Sequence, residues 1–401
     1  VPGSRKGFVS SGALVLAAGF LVLFIGGGAR FTVGLTLKPM VDDLGWARSQ
    51  LGLAVALYQV VSAVAMFAAG RLADRAGPRL VLCGGVLVSA VGIGLMGTVT
   101  QPWHALALYG VVFAVGSGAA SLIPVGVMVT RAFPARAGTA NAVVMSGMSV
   151  GQLVVIAALA AVLLAVSWHA VYWWLGLVHL ALLPLLLLAI PKTAATQAAA
   201  GPLIDGVGVM QAARSRQFWL LLAVYAICGF DDFFVATHVV AMAEDRGASA
   251  FLAGNLLALM GLTGLIGAVA AGAFSDRAGP VWPAALAFAA RVIVFALVLA
   301  DRSKLSVAVF ALVFGVTFLV TAPLTVVFVS QSFGTRHLGA LTGLITMVHQ
   351  ICGGAGAYLG AAIFDARGSY DPALWLMLVV SLAAMLLTLL LRRRRQDLAS
   401  A

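Results

Sequence analysis

The sequence predicts an all-α polytopic membrane protein, with twelve transmembrane helices arranged as two pseudo-symmetric six-helix bundles. Three observations carry this expectation. Hydrophobic side chains make up 62% of the 401 residues and charged ones only 9%, and a water-soluble chain of that length needs a larger polar coat to cover its surface. The apolar residues fall into twelve long runs, and about 20 mostly apolar residues suffice to cross a bilayer. Finally, Gly70 to Arg79 (GRLADRAGPR) returns as Gly272 to Pro280 (GAFSDRAGP) at a constant offset of 202 positions. A repeat at half the chain length means two similar halves.

Taken in order, the runs define span 1 (roughly 11–37), span 2 (49–71), span 3 (79–99), span 4 (104–131), span 5 (138–165) and span 6 (169–190). After a more polar stretch rich in Ala, Gly and Pro come span 7 (roughly 218–243), span 8 (249–273), span 9 (281–300), span 10 (305–331), span 11 (338–364) and span 12 (373–391). The expected organisation is an N-terminal bundle over 1–190, a cytoplasmic linker over 191–217 and a C-terminal bundle over 218–401 with a basic tail. Nothing in residues 1–7 reads as a cleaved signal.

Charge sets the orientation. With the N-terminus inside, 16 of the 24 Lys and Arg residues fall on the inside and six on the outside; Arg30 and Arg291 fall within spans. This bias places both termini in the cytoplasm, with Arg392 to Arg395 as an anchor beside anionic lipid. The net charge of +11 is accounted for by these loops and forms no aromatic-interleaved face, so no nucleic-acid partner is expected. Cys83, Cys228 and Cys352 lie far apart within apolar runs. They read as small hydrophobes, with no disulfide, no metal-ligand spacing and no cofactor implied. No nucleotide-binding Gly-rich Lys motif and no catalytic dyad is present, which points away from an enzyme.

Ionisable groups inside a bilayer are costly and usually face a partner or a cavity. Arg30, Asp231, Asp232 and Arg291 are the four formally charged ones here, two of each sign, and His238 and His349 add titratable imidazoles. Arg30 and Asp232 are repeat equivalents on spans 1 and 7. Arg30 can hold an anionic substrate through its two-pronged guanidinium, or the two can form a permanent ion pair. Asp231 and Asp232 are adjacent, so a helix aims them about 100° apart and away from any one common point. Asp231 and His238 share a helix face seven residues apart; they can form a proton relay, or His238 can simply hydrogen-bond a backbone carbonyl near the outer end of span 7. Arg291 has Ser89 as its repeat equivalent and is expected to pair structurally with a polar group on a neighbouring span. Tyr58, Gln59, Gln152, Asn255, Thr321, His349 and Gln350 are candidate substrate contacts, with Asn141 and Thr317 as further polar residues on pathway spans. Polar groups of this kind also serve as glue between helices. The glycines of span 1 (Gly26, Gly27, Gly28, Gly34) and span 11 (Gly353, Gly354, Gly356, Gly360) predict close helix packing.

The short loops containing Gly70, Asp74, Arg75 and Gly77, and in the second half Asp276, Arg277 and Gly279, resemble the signature loop of the major facilitator superfamily. That resemblance covers nearly the whole chain. Within the superfamily, Leu44 to Gln50 (LGWARSQ), Thr237 with His238, Phe333 to Leu344 (FGTRHLGALTGL), and His349 with Gln350 before the run to Asp371 are similar to the bacterial monocarboxylate and oxalate–formate porters. The resemblance implies a monomeric secondary transporter of the bacterial inner membrane. It would work by alternating access, carrying a small organic anion with protons, with the Asp-Arg loops as gating latches. Two departures stand out: span 8 contains no arginine where such carriers place one, and span 5 carries Gly147 and Gly151 without the proline of drug–proton antiporters. The alternatives are transport or efflux of a cationic, metal-linked or drug-like compound through the span-7 acids, and a non-transporting sensor on the same fold.

Overall fold

The computed structural model describes residues 5–133, 136–190, 207–334 and 337–391, with the side chains of 5–11, 74 and 137–139 outside the described set. Twelve helices long and apolar enough to cross a membrane run Gly12–Leu44, Arg48–Ala73, Pro78–Thr98, Pro102–Ala132, Ala140–Val162 and Trp168–Ala189, then Arg216–Asp245, Ala250–Ala278, Val281–Ala300, Lys304–Phe333, Leu338–Arg367 and Asp371–Leu390. They fall into two compact units, Val1–Ala199 and Ala200–Ala401. Of the expected linker, residues 191–206 lie outside the described residues. Its remainder packs as part of the second unit: Val209–Ala212 is helical, Ala212 is buried in that unit's core, and Val207 donates its amide to the carbonyl of Phe333 at 3.0 Å.

Within each unit the helices pair in the same way. Span 1 packs on span 5, span 2 on span 4 and span 3 on span 6; in the second unit span 7 packs on span 11, span 8 on span 10 and span 9 on span 12. Glycine sets the closest of these approaches, and it does so at repeat-equivalent positions. A Cβ on Gly27 would collide with the carbonyl of Met148, and one on Gly151 with that of Phe24. In the second unit a Cβ on Gly229 would collide with the carbonyl of His349, and one on Gly353 with the ring of Phe233. Gly27 and Gly229, like Gly151 and Gly353, are separated by the repeat offset of 202. The internal repeat therefore encodes the backbone contact between the first and fifth helix of each half, in the manner of small-residue interfaces within membranes.

Three spans are interrupted. Span 4 breaks at Ala120–Ser121 and span 10 at Leu319–Val320, four residues before Pro124 and Pro323 respectively. Proline has no N–H to donate to the carbonyl four positions back, and its ring pushes that carbonyl away. Span 4 also contains a π-helical segment, Leu106–Phe113. Span 1 breaks at Arg30–Phe31, between Arg5–Ala29 and Thr32–Leu44, just after Gly26 to Gly28. Breaks inside a bilayer need new partners for the freed backbone groups. At span 1 the hydroxyl of Tyr109 donates to the carbonyl of Arg30 at 2.7 Å. At span 10 the hydroxyl of Tyr225 donates to the carbonyl of Thr321 at 2.9 Å, and Arg291 donates to the carbonyl of Thr317 at 3.2 Å.

Candidate functional site

The second unit holds a buried ionic cluster at the level of the span-10 break. Span 7 contributes Cys228, Asp231 and Asp232, span 9 Arg291, span 10 Thr317 and Thr321, span 11 His349 and span 12 Ser381. Arg291 is 1% exposed and Asp231 0%, so neither charge is compensated by bulk water and each needs protein partners. Arg291 Nη2 lies 2.7 Å from Asp232 Oδ1, and Nη1 lies 3.7 Å from Asp231 Oδ2. Its Nε donates to Thr317 Oγ1 at 3.0 Å, and its planar face rests over Phe314, 4.6 Å from the ring centroid. Ser381 Oγ donates to Asp231 Oδ2 at 2.6 Å, while Asp231 Oδ1 has no hydrogen-bond partner among the described residues. Asp232 Oδ2 meets His349 Nε2 at 3.2 Å and the thiol of Cys228 at 3.4 Å.

This geometry bears on three expectations. The adjacent aspartates do meet at one group, because a forked guanidinium spans the divergence that a helix imposes on neighbouring side chains. Arg291 pairs, as expected, with polar groups on neighbouring spans: both acids of span 7 and Thr317 of span 10. The proposed link from Asp231 to His238 is replaced by separate partners, since seven residues of helix rise about 10 Å. His238 Nε2 donates to the carbonyl of Ala357 at 2.8 Å, and its Nδ1 meets the hydroxyl of Tyr370 at 3.2 Å. The acids of span 7 thus find their counter-ion on span 9 of their own unit. Ser89, the repeat equivalent of Arg291, is buried with an unpartnered hydroxyl among the described residues, so the ionic cluster has no twin in the first unit.

The first unit presents a smaller polar group around the break in span 1. The guanidinium of half-buried Arg30 lies 5.2 Å from the ring centroid of Phe31. Tyr109, which anchors the Arg30 carbonyl, stacks on Tyr58 at 4.9 Å, and Ser117 Oγ donates to the Tyr58 hydroxyl at 3.0 Å. Gln59 is buried, and its Nε2 has no hydrogen-bond partner among the described residues. Gln152 on span 5 and Gln350 on span 11 are buried, and Asn141 donates to Thr130 at 2.9 Å. Asn255 Nδ2 donates to the carbonyl of Phe251 one turn back in its own helix, at 2.8 Å. Thr321 sits beside the thiol of Cys228 at 3.4 Å. In the loops, Gly70 lies half-buried at the end of span 2, and Arg75, Asp276 and Arg277 are exposed; Arg79 donates to the terminal carbonyl of span 6 at Ile190. Gly77 and Gly279 occupy φ +86° and +77°, where residues with a Cβ are strained. The side chain of Asp74, Arg336 and the tail Arg392 to Arg395 lie outside the described residues. Cysteine carried no site signal in the sequence, Ser381 was readable only as a polar residue inside a span, and Arg291 was legible as an intramembrane charge but not as the partner of the span-7 acids.

Comparison with known proteins places this architecture. The Major Facilitator Superfamily profile matches residues 19–357, with a second match over 221–401. The chain is 27% identical over 345 residues to the uncharacterized MFS-type transporter YcxA of Bacillus subtilis, covering 83% of this chain and 84% of the relative. It is 35% identical over 98 residues to the multidrug resistance protein MdtH of Yersinia pestis, 24% of this chain and 22% of that protein. Among solved structures it resembles the nucleoside transporter NupG, with a TM-score of 0.79 at 13% identity, covering 96% of this chain and 99% of that one. A bacterial homolog of the human lysosomal transporter Spinster superposes equally well, with a TM-score of 0.79 at 14% identity over 95% and 97% of the two chains. Twelve spans, paired alike in two halves that each carry one copy of the repeated loop, match the fold of those transporters, and the chain belongs to the Major Facilitator Superfamily of integral membrane transporters.

Proposed function

We propose that this chain is a proton-coupled secondary transporter of a small organic anion, with the Asp231–Asp232–Arg291–His349 cluster as its proton-exchanging site. Charge counting inside a dry site carries the reading. Two carboxylates face one guanidinium, so with a neutral imidazole the cluster bears one excess negative charge. An unbalanced buried charge is expensive, and a single added proton restores neutrality. His349, whose side chain is 19% exposed, touches Asp232 and offers that proton a way in and out. Alternating access by the two halves would then expose the cluster to each side in turn.

The substrate class rests on Arg30 and its surroundings. A half-buried guanidinium on a helix break whose backbone carbonyl is fixed by Tyr109 suits two-pronged capture of a carboxylate. The orphaned amide of Gln59 adds a donor on span 2. The similarity of the segments at 44–50 and 333–344 to monocarboxylate porters supports the same class. Two observations favour a second reading, a cationic or drug-like substrate: the excess negative charge of the cluster attracts cations, and a stretch of the chain is similar to MdtH, a protein named for multidrug resistance. We further propose that the protein acts as a monomer in a bacterial inner membrane with both termini cytoplasmic, as the Lys and Arg bias supports.

The test is uptake into proteoliposomes under an imposed inward proton gradient, with labelled carboxylates screened beside cationic and zwitterionic compounds. The expected result is gradient-driven carboxylate uptake, abolished by Arg30→Ala and uncoupled from the gradient by Asp232→Asn. Movement of cations alone, lost in Asp232→Asn and retained in Arg30→Ala, overturns the anion assignment in favour of the second reading.

A further inference from the structure

One corner of the cluster has a chemistry that proton exchange does not require. Cys228 Sγ, Asp232 Oδ2 and His349 Nε2 lie within 4.8 Å of one another. Cys228 and Asp232 stand one turn apart on the same face of span 7, and His349 reaches in from span 11. The sulfur is 3.4 Å and the imidazole nitrogen 3.2 Å from the shared carboxylate oxygen. A tetrahedral zinc ion, bonded to oxygen and nitrogen at about 2.0–2.1 Å and to sulfur at about 2.3 Å, holds such atoms roughly 3.3–3.6 Å apart. The sulfur–oxygen separation falls in that range, the nitrogen–oxygen separation lies about 0.1 Å below it, and the sulfur and nitrogen are within 4.8 Å of each other.

The set is also rigidly held and electrically suited. Spans 7 and 11 touch backbone to backbone at Gly229 and His349, which fixes the imidazole relative to the thiol. Arg291 holds Oδ1 of Asp232 at 2.7 Å, leaving Oδ2 turned toward the sulfur and the imidazole, and Thr321 Oγ1 stands 3.4 Å from the sulfur. Supporting contacts of this kind orient ligands and sharpen metal affinity. With Cys228 as thiolate, three negative groups (Cys228, Asp231, Asp232) and one positive group (Arg291) leave two negative charges, which a divalent cation cancels.

We propose that Cys228, Asp232 and His349 form a binding site for a thiophilic divalent cation of the zinc type, with a fourth position left to water. Binding displaces the thiol proton and the shared carboxyl proton, so one divalent ion exchanges for two protons without a change in net charge. The metal site stands on the three ligands alone. Only the second released proton rests on the proton-coupling reading above.

Cadmium is a suitable probe because its bond to a thiolate produces an ultraviolet charge-transfer band. Titrated into the purified full-length chain in detergent, one equivalent of cadmium is expected to saturate that band. The band persists when Cys83 and Cys352 are both replaced by serine. It disappears in Cys228→Ser, and the affinity falls by about tenfold or more in His349→Ala. No band, or a band that survives Cys228→Ser, overturns the site. Proton release measured in weak buffer separates the two readings: about two protons per ion supports both, while release of the thiol proton alone retains the metal site and overturns the carboxyl-proton reading.

Discussion

Arg291 is the residue on which the second unit's polar interior turns, because it answers two carboxylates, a threonine hydroxyl and a freed helix carbonyl with one side chain. Removing one partner of a buried ion pair leaves the other charge uncompensated, at a cost of about 3–5 kcal/mol. Arg291→Ala is therefore expected to lower the thermal midpoint in detergent strongly. Arg291→Lys recovers only part of the loss, since a point charge cannot reach both acids. Combining Arg291→Met with Asp231→Asn and Asp232→Asn removes the imbalance and should restore much of the stability. If the triple variant is no more stable than Arg291→Ala, the charge account fails. The four intramembrane charges were legible in the sequence, as was their two-against-two balance. Their pairing was not. Helix phase tells where a side chain leaves its own helix but nothing about which neighbour it meets, and Arg291 has no charged repeat equivalent to betray its role. Cys228 and His349 stayed hidden as a pair for the same reason, being 121 positions apart on different spans.

Close helix packing was better foretold, because the glycines of spans 1 and 11 stand out in the sequence, although which helices they bring together was not. The prediction at this scale contrasts glycines that touch a neighbouring backbone with one that does not. Gly151→Ala and Gly229→Ala force a methyl group into the carbonyls of Phe24 and His349, and overpacking of this kind costs typically about 1–3 kcal/mol. Gly26→Ala meets nothing within 4 Å and should leave the thermal midpoint unchanged or raise it slightly, since alanine favours the helix by about 0.5–1 kcal/mol. Equal behaviour of all three variants would remove the glycine contacts from the account of the fold. The interruptions in spans 4 and 10 were missed as interruptions although their cause was in plain view. Pro124 and Pro323 each lie four residues after a break, but apolar runs continuous through a proline still read as one span by length and composition. The break at Arg30 has no proline, only the glycines before it, and hydropathy does not register it.

At the scale of the whole molecule, the repeated loops are the feature the sequence announced first, and the two copies share one backbone design. In each, a glycine at positive φ ends the second span of its half, followed by a proline at the start of the third. Asp74 and Asp276 both stand three residues before that glycine. Each stands in the last turn of its helix, where the helix dipole disfavours a carboxylate by about 0.3–1 kcal/mol at an exposed position, and the basic neighbours Arg75 and Arg277 oppose that penalty. Energies of this size suffice to bias a two-state equilibrium several-fold without threatening the fold. If the loops latch one access state, Asp74→Asn and Asp276→Asn should each shift the population of that state and leave the thermal midpoint nearly unchanged. Spin labels on Gln101→Cys, in the loop before span 4, and Lys304→Cys, the first residue of span 10, with Cys83 and Cys352 replaced by serine, report the distance between the halves directly. Two distance populations whose ratio changes in either Asp→Asn variant are the expected outcome. A distribution identical to that of the parent in both variants would leave the latches without a role in gating and return the loops to simple connectors.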